Sequence, residues 1–186
     1  KNPSENSKRV YPRILFGRAT EMINDGRLAE ADGLLNQVLE DPYNRTVLPY
    51  AYFWKGEIGY RNKQLDTAIK YFHAYMDAGA PTAGEANPVN AKYNLGYSYL
   101  RKENFKVSVT FFEPLIKAPA LNTDAFTQDA YLRTADNYFM MKNYDKARSM
   151  YDNAIKLSWP AEDYATFQIA MLAGVRSANE KISGMN

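Results

Sequence analysis

The chain has 186 residues, 46% hydrophobic and 24% charged, which is enough apolar material for a buried core and rules out a disordered tail. Its 23 basic and 21 acidic side chains leave a formal charge of +2 without a block of like charges, so nothing marks a surface for nucleic acid or anionic lipid. The lack of cysteine excludes disulfides, thiol chemistry and cysteine-held metals, and no apolar run of about eighteen residues exists to span a membrane.

Residues 1–9 are expected to be an extension; the opening at Lys1, without Met or a signal-peptide core, reads as a processed or excised segment. The first periodic stretch is Leu15-x-x-Arg18-Ala19-x-x-Met22. The link "NDGR" leads to a second, Leu28, Ala31, Leu35 and Val38, which ends near Pro42. The same sentence is then rewritten three times. Tyr52-x-x-Lys55-Gly56-x-x-Gly59 passes through "RNKQ" into Leu65, Ala68, Phe72 and Tyr75, and stops at Pro81. Lys92-x-x-Leu95-Gly96-x-x-Tyr99 passes through "RKEN" into Phe105, Ser108, Phe112 and Leu115, and stops at Pro119. Tyr131-x-x-Thr134-Ala135-x-x-Tyr138 passes through "MKNY" into Tyr144, Ala147, Tyr151 and Ala154, and stops at Pro160.

Spacings of three and four put each set on one helical face, and proline ends each second helix because it lacks the N–H that would continue it. Links this short make the paired helices antiparallel neighbours. A small residue sits in the middle of every first helix: Ala19, Gly56, Gly96 and Ala135. Glycine there costs about 1 kcal/mol of helix stability relative to alanine, so its expected role is to admit a neighbouring helix closely. The repeat positions Ala31, Ala68, Ser108 and Ala147 are 37, 40 and 39 residues apart. Pro114, inside the third copy's second helix, predicts a bend. A fifth first helix is expected over 162–176, with its partner cut short at "ANEKISGMN". It carries Phe167, Ile169, Met171 and Leu172 where a terminal repeat would present polar residues, so these are expected to pack on a further repeat or on a second copy of the chain.

The pattern large-x-x-Leu-Gly-x-x-Tyr, then Ala-x-x-x-Phe, then Pro resembles the tetratricopeptide repeat. The best matches are "YNLGYSYLRKENFKVSVTFFEPL" and "YLRTADNYFMMKNYDKARSMYDNAI". The resemblance implies an all-α, right-handed superhelical solenoid of antiparallel helix pairs. Its repeats would span about 12–43, 49–81, 89–120 and 128–160, with a partial fifth at 164–183, in a single array over 10–183 followed by a tail at 184–186. The intervals exceed the usual period of about 34, and the excess lies in the loops between copies: "YNRTVL", "PTAGEANPVN" and "PALNTDAF".

In this family the first helices line a concave groove. The positions left over by the packing pattern are Phe16, Thr20 and Ile23; Phe53, Glu57 and Tyr60; Tyr93, Tyr97 and Leu100; and Leu132, Asp136 and Phe139. With Asn90, Asn94 and Arg133 at the edge, they would make a ring-rich surface suited to a peptide or a helix. The family's grip on a terminal carboxylate is missing, because Phe16, Phe53 and Asp129 stand where its cations should be and only Asn94 and Arg133 fit.

No catalytic set emerges. His73 is the single histidine, with Asp77 four residues on, and reads as a solvated surface residue. There is no Gly-x-Ser-x-Gly elbow, and "AGAPTAGEANP" lacks the Lys-Ser/Thr ending of a phosphate loop. The carboxylates lack calcium-loop spacing, Asn44-Arg45-Thr46 is a formal glycosylation sequon, and Tyr97, Tyr99, Tyr138, Met140 and Met141 read as core packing. The expectation is a non-catalytic protein-interaction scaffold without cofactor or metal, binding a protein or peptide and not nucleic acid. The alternative is a self-assembling module that stacks through 162–176. The Tyr-heavy repeats with long links look like those of bacterial envelope proteins, so a periplasmic or outer-membrane-associated place is expected.

Overall fold

The computed structural model describes residues 4–116, 119–120 and 122–183, apart from the side chains of 5, 6, 176 and 179–183. Among these the regular elements are all helical: α1 (Glu5–Asn24), α2 (Leu28–Glu40), α3 (Leu48–Arg61), α4 (Leu65–Asp77), α5 (Pro88–Arg101), α6 (Phe105–Phe112), α7 (Ala125–Met140), α8 (Tyr144–Lys156) and α9 (Glu162–Ser183). Short 3-10 turns lie at Asn44–Thr46 and Glu113–Leu115. The chain divides into two compact units, Lys1–Ser98 and Tyr99–Asn186.

The links that reverse the chain share one hydrogen-bond scheme. After α1, the amide of Gly26 donates to Ile23 O and that of Arg27 to Met22 O, the paired 5→2 and 6→1 bonds of a Schellman cap. Lys63 and Gln64, Glu103 and Asn104, and Lys142 and Asn143 repeat it after α3, α5 and α7. The cap needs one residue in the left-handed region, and Gly26 (φ 75°) supplies it at no steric cost. Lys63, Glu103 and Lys142 hold φ near 60° in the other three links, each against a penalty of about 1 kcal/mol. Lys142→Gly is therefore expected to leave stability unchanged or raise it by up to about 1 kcal/mol, read from the urea midpoint.

Within unit 1 the small residues of α3 set how closely α4 approaches. A Cβ added at Gly56 would stand 2.9 Å from the Phe72 ring, and one added at Gly59 would stand 2.9 Å from the backbone nitrogen of Ala68. The ring can tilt; the backbone of α4 cannot yield without moving the helix. Gly59→Ala is thus expected to cost about 1–3 kcal/mol despite the better helix propensity of alanine, and Gly56→Ala less. Denaturant unfolding of the two variants checks the order. Close approach lets Phe53 pack edge-on against Phe72 (5.6 Å between centroids) and Tyr75 (5.4 Å). Around α1 and α2, a cluster including Ala19, Met22, Ile23, Leu35, Val38 and Ile58 is buried. Lys55, itself buried on α3, donates to Asp32 Oδ1 (2.6 Å) and Asn36 Oδ1 (2.8 Å) on α2, which joins consecutive copies by a charge-assisted contact.

In unit 2 the core is built from Tyr131, Tyr138, Tyr151 and Trp159 with Val109, Met150 and Leu172. The Trp159 indole donates to Ala120 O at 3.0 Å, so this ring both fills the core and holds the loop before α7.

Four sequence expectations are corrected. The helix of the first copy begins at Glu5 within the expected extension, because the Ser4 hydroxyl accepts the Ser7 amide at 3.2 Å and caps it. Pro12 sits inside this helix, where it has no N–H to donate to the carbonyl four residues earlier. Pro114 does not bend α6; the helix stops at Phe112 and Pro114 lies in the 3-10 turn that follows. The stretch "ANEKIS" forms no separate helix, since α9 runs unbroken to Ser183. His73 is half-buried on α4 and not fully solvated. The expected tail at 184–186 and the first three residues of the extension fall outside the described residues.

Candidate interaction surface

An open cleft of about 700 Å³ lies in unit 1 between α1, the start of α3 and the loop before α5. Its lining includes Arg13, Phe16 and Thr20 from α1, Tyr50 and Trp54 from α3, and Ala83–Ala86 from the loop. Phe16 and Tyr50 approach to 6.2 Å between ring centroids. Tyr50, Trp54, Glu57 and Arg61 follow four-three-four spacing, so they share one face of α3.

The loop wall is built, not merely long. Tyr75 donates to Pro81 O at 2.7 Å and anchors the chain as it leaves α4. Ala83 and Ala86 exchange both backbone hydrogen bonds (2.8 and 3.1 Å) around Gly84, whose φ of 58° needs no Cβ to be accommodated. The Asn87 side chain donates to Gly84 O and Glu85 O while its Oδ1 accepts the Asn90 amide at 2.8 Å, and Asn90 Nδ2 donates to Glu85 O at 2.8 Å. Asn90, expected at the groove edge, is thereby spent on holding this turn.

The other expected site residues fall into two groups. In unit 1, Phe16 lines the cleft with Thr20. Glu57, expected as an open acidic point, accepts from Arg61 Nε (2.8 Å) and Asn94 Nδ2 (2.9 Å), tying α5 to α3. Tyr93 and Tyr97 are half-buried and pack edge-on at 4.9 Å, and Tyr60 is half-buried. Phe53 is a correction: at 2% exposure it belongs to the core, because Gly56 leaves room for α4 to enclose it.

In unit 2, Leu132 is likewise a correction, at 3% exposure. Phe139 is half-buried and meets the Tyr144 ring edge-on at 5.8 Å. Asp136 is the centre of a polar network and not an open acidic point. Its Oδ1 accepts the hydroxyls of Tyr151 (2.6 Å) and Tyr164 (2.7 Å), and its Oδ2 accepts Arg133 Nη1 (2.5 Å). Arg133 also donates to Asp129 Oδ1 at 3.3 Å and lies 5.0 Å above the Tyr164 ring. One carboxylate therefore fastens α8 and α9 to α7. Burial pushes the Asp136 carboxyl above its ordinary range, against the opposing pull of Arg133 and the two hydroxyls. Burial, then the negative charge of Asp136, pushes the Tyr164 phenol up to about 12 and Tyr151 higher still.

Elsewhere, Tyr138, Glu113 and Lys146 bond one another and pin the turn at Glu113–Leu115. Asn44 of the sequon donates Nδ2 to Val38 O and Leu39 O, so it caps α2. Among the described residues, no group of three or more His, Asp or Glu side chains is placed to hold a metal ion, and no helix is long and apolar enough to cross a membrane.

The cleft residues that sequence reasoning missed are Arg13, Tyr50, Trp54 and the loop wall. A signal for two of them was present: Tyr50 and Trp54 are four apart, as Phe16 and Thr20 are, and fall outside the Tyr52/Lys55/Gly56/Gly59 packing set.

A sequence profile of the tetratricopeptide repeat matches residues 129–158. No curated protein sequence matches the chain. Among solved structures, a MamA double mutant of strain RS-1 superposes with a TM-score of 0.68 at 16% identity, covering 94% of this chain and 89% of that one. MamA 41-end from Desulfovibrio magneticus RS-1 gives 0.66 at 16% identity with the same coverage, and MamA of AMB-1 gives 0.68 at 17% identity over 92% of this chain and 86% of that one. At these identities the likeness shows the fold, an all-α array of antiparallel helix pairs.

Proposed function

We propose that this chain, whose residues 129–158 match the tetratricopeptide-repeat profile, is a non-catalytic scaffold that binds a peptide or helical segment of another protein in the unit 1 cleft. The observation that carries this is the half-buried ring set Phe16, Tyr50 and Trp54 lining a cleft of about 700 Å³. Aromatic side chains give large contact area for few lost rotamers, and a preformed wall spares the ligand the cost of ordering it. The expected groove residues of unit 2 contribute less to this reading, because Leu132 is in the core and Arg133 and Asp136 bond their own neighbours. Placement in the cell envelope of a bacterium belongs to the same proposal, and cell fractionation tests it.

Tyr50→Ala/Trp54→Ala is expected to weaken a cleft-bound partner about 30-fold or more in a quantitative pull-down, while helical circular dichroism stays as in the parent. A partner retained at full strength by a folded double variant contradicts the cleft reading.

A second reading has its own observation. On α9, Phe167 is 60% and Met171 46% exposed, one turn apart, with Ala170 exposed between them. Ile169 is half-buried and Leu172 buried, so the apolar face is narrower than expected. This strip is the surface for self-assembly through 162–176. Sedimentation of Phe167→Lys/Met171→Lys beside the parent tests it, since loss of a concentration-dependent species is the expected outcome.

A further inference from the structure

We infer that the unit 1 cleft recognises an extended peptide carrying a single carboxylate side chain next to an apolar residue; this rests on the cleft reading above. Among the described residues, three hydrogen-bond donors in the lining have no protein partner: the exposed Arg13 guanidinium, the Tyr50 hydroxyl and the Trp54 indole N–H. Elsewhere in this unit Arg27 pairs with Glu30, Lys55 with Asp32, and Arg61 with Glu57. Arg13, Tyr50 and Trp54 line the same cleft as the Phe16 ring. A carboxylate takes charge-assisted bonds from guanidinium and hydroxyl together, and a flanking apolar side chain covers the rings. Glu85, on the opposite loop wall, is exposed with its carboxylate unbonded, which repels a second acidic residue and restricts the ligand to one.

The chain's two tryptophans make the test internally controlled. Trp54 lines the cleft, whereas Trp159 is buried in unit 2 with its indole bonded to Ala120 O. The ¹⁵N-labelled chain is titrated with a capped Gly-Glu-Leu-Phe-Gly peptide, and with counterparts carrying Gln or Lys in place of Glu. The expected result is a shift of the Trp54 indole resonance with Trp159 unmoved. The Glu peptide binds about 10-fold more tightly than the Gln peptide, and this preference is lost in Arg13→Gln. Equal binding of the three peptides, or a preference for Lys, overturns the carboxylate inference and leaves the cleft reading standing. No movement of Trp54 with any peptide at millimolar concentration overturns both.

Discussion

Asp136→Ala is expected to destabilise unit 2 by about 3–5 kcal/mol. The substitution strands the hydroxyls of Tyr151 and Tyr164 and leaves Arg133 facing a cavity, where now all three share one carboxylate with 14% of its side chain exposed. Denaturant unfolding followed by Trp159 fluorescence in a Trp54→Phe background reports on unit 2 alone. A loss under about 1 kcal/mol would show that the network adds little beyond packing. The milder Asp136→Asn carries a pH signature. Because burial raises the Asp136 pKa in the folded state, the folded chain holds this proton more tightly than the unfolded chain does. The contribution of the group is full below its unfolded value, about 3.9, and falls as pH rises through the raised folded value. The cost of Asp136→Asn should therefore shrink as pH rises through that window, and a cost that grows would mean that Arg133 and the hydroxyls outweigh burial.

Phe53→Ala is expected to cost about 3–5 kcal/mol, and to do so without removing a ligand contact. The ring is 2% exposed and packs edge-on against Trp54, Phe72 and Tyr75, so its removal opens a void between α3 and α4. Thermal unfolding measures the loss. Any fall in partner binding by this variant has to be scored against the fraction folded, whereas Trp54→Ala should lower binding by more than its own loss of folded fraction accounts for.

The contrast between these neighbours shows where the sequence was legible. Helix pairing, order and links follow from local rules: three-four periodicity, proline stops and a small residue facing the partner helix are all written within a few positions. Ala31, Ala68, Ser108 and Ala147 are all buried where the repeat places them. The groove was harder to read because a helix face next to the packing stripe goes to solvent or core according to how closely its neighbour comes. Phe16 and Phe53 occupy the same repeat position, yet Phe16 lines the cleft and Phe53 is enclosed, and Gly56 and Gly59 mark the close approach on α3. Asp136 was misread for a related reason. Tyr151 stands where the repeat usually has Phe, and its hydroxyl, once buried, needs an acceptor that only Asp136 supplies. A Tyr at that position together with an acid on the preceding helix was a legible pair. The loop wall at 81–87 was not legible, because its fold depends on side-chain-to-backbone bonds from Asn87 and Asn90 whose partners the spacing does not reveal.

The most direct measurement is site-resolved photocrosslinking in cells that express the chain. Benzoylphenylalanine replaces Tyr50 in the cleft, Phe167 on α9, or the exposed Arg148 on α8 as a control. The account predicts an adduct with a different protein from position 50 and none from 148. An adduct from position 167 alone, joining two copies of this chain, would contradict it and establish the self-assembly reading in its place.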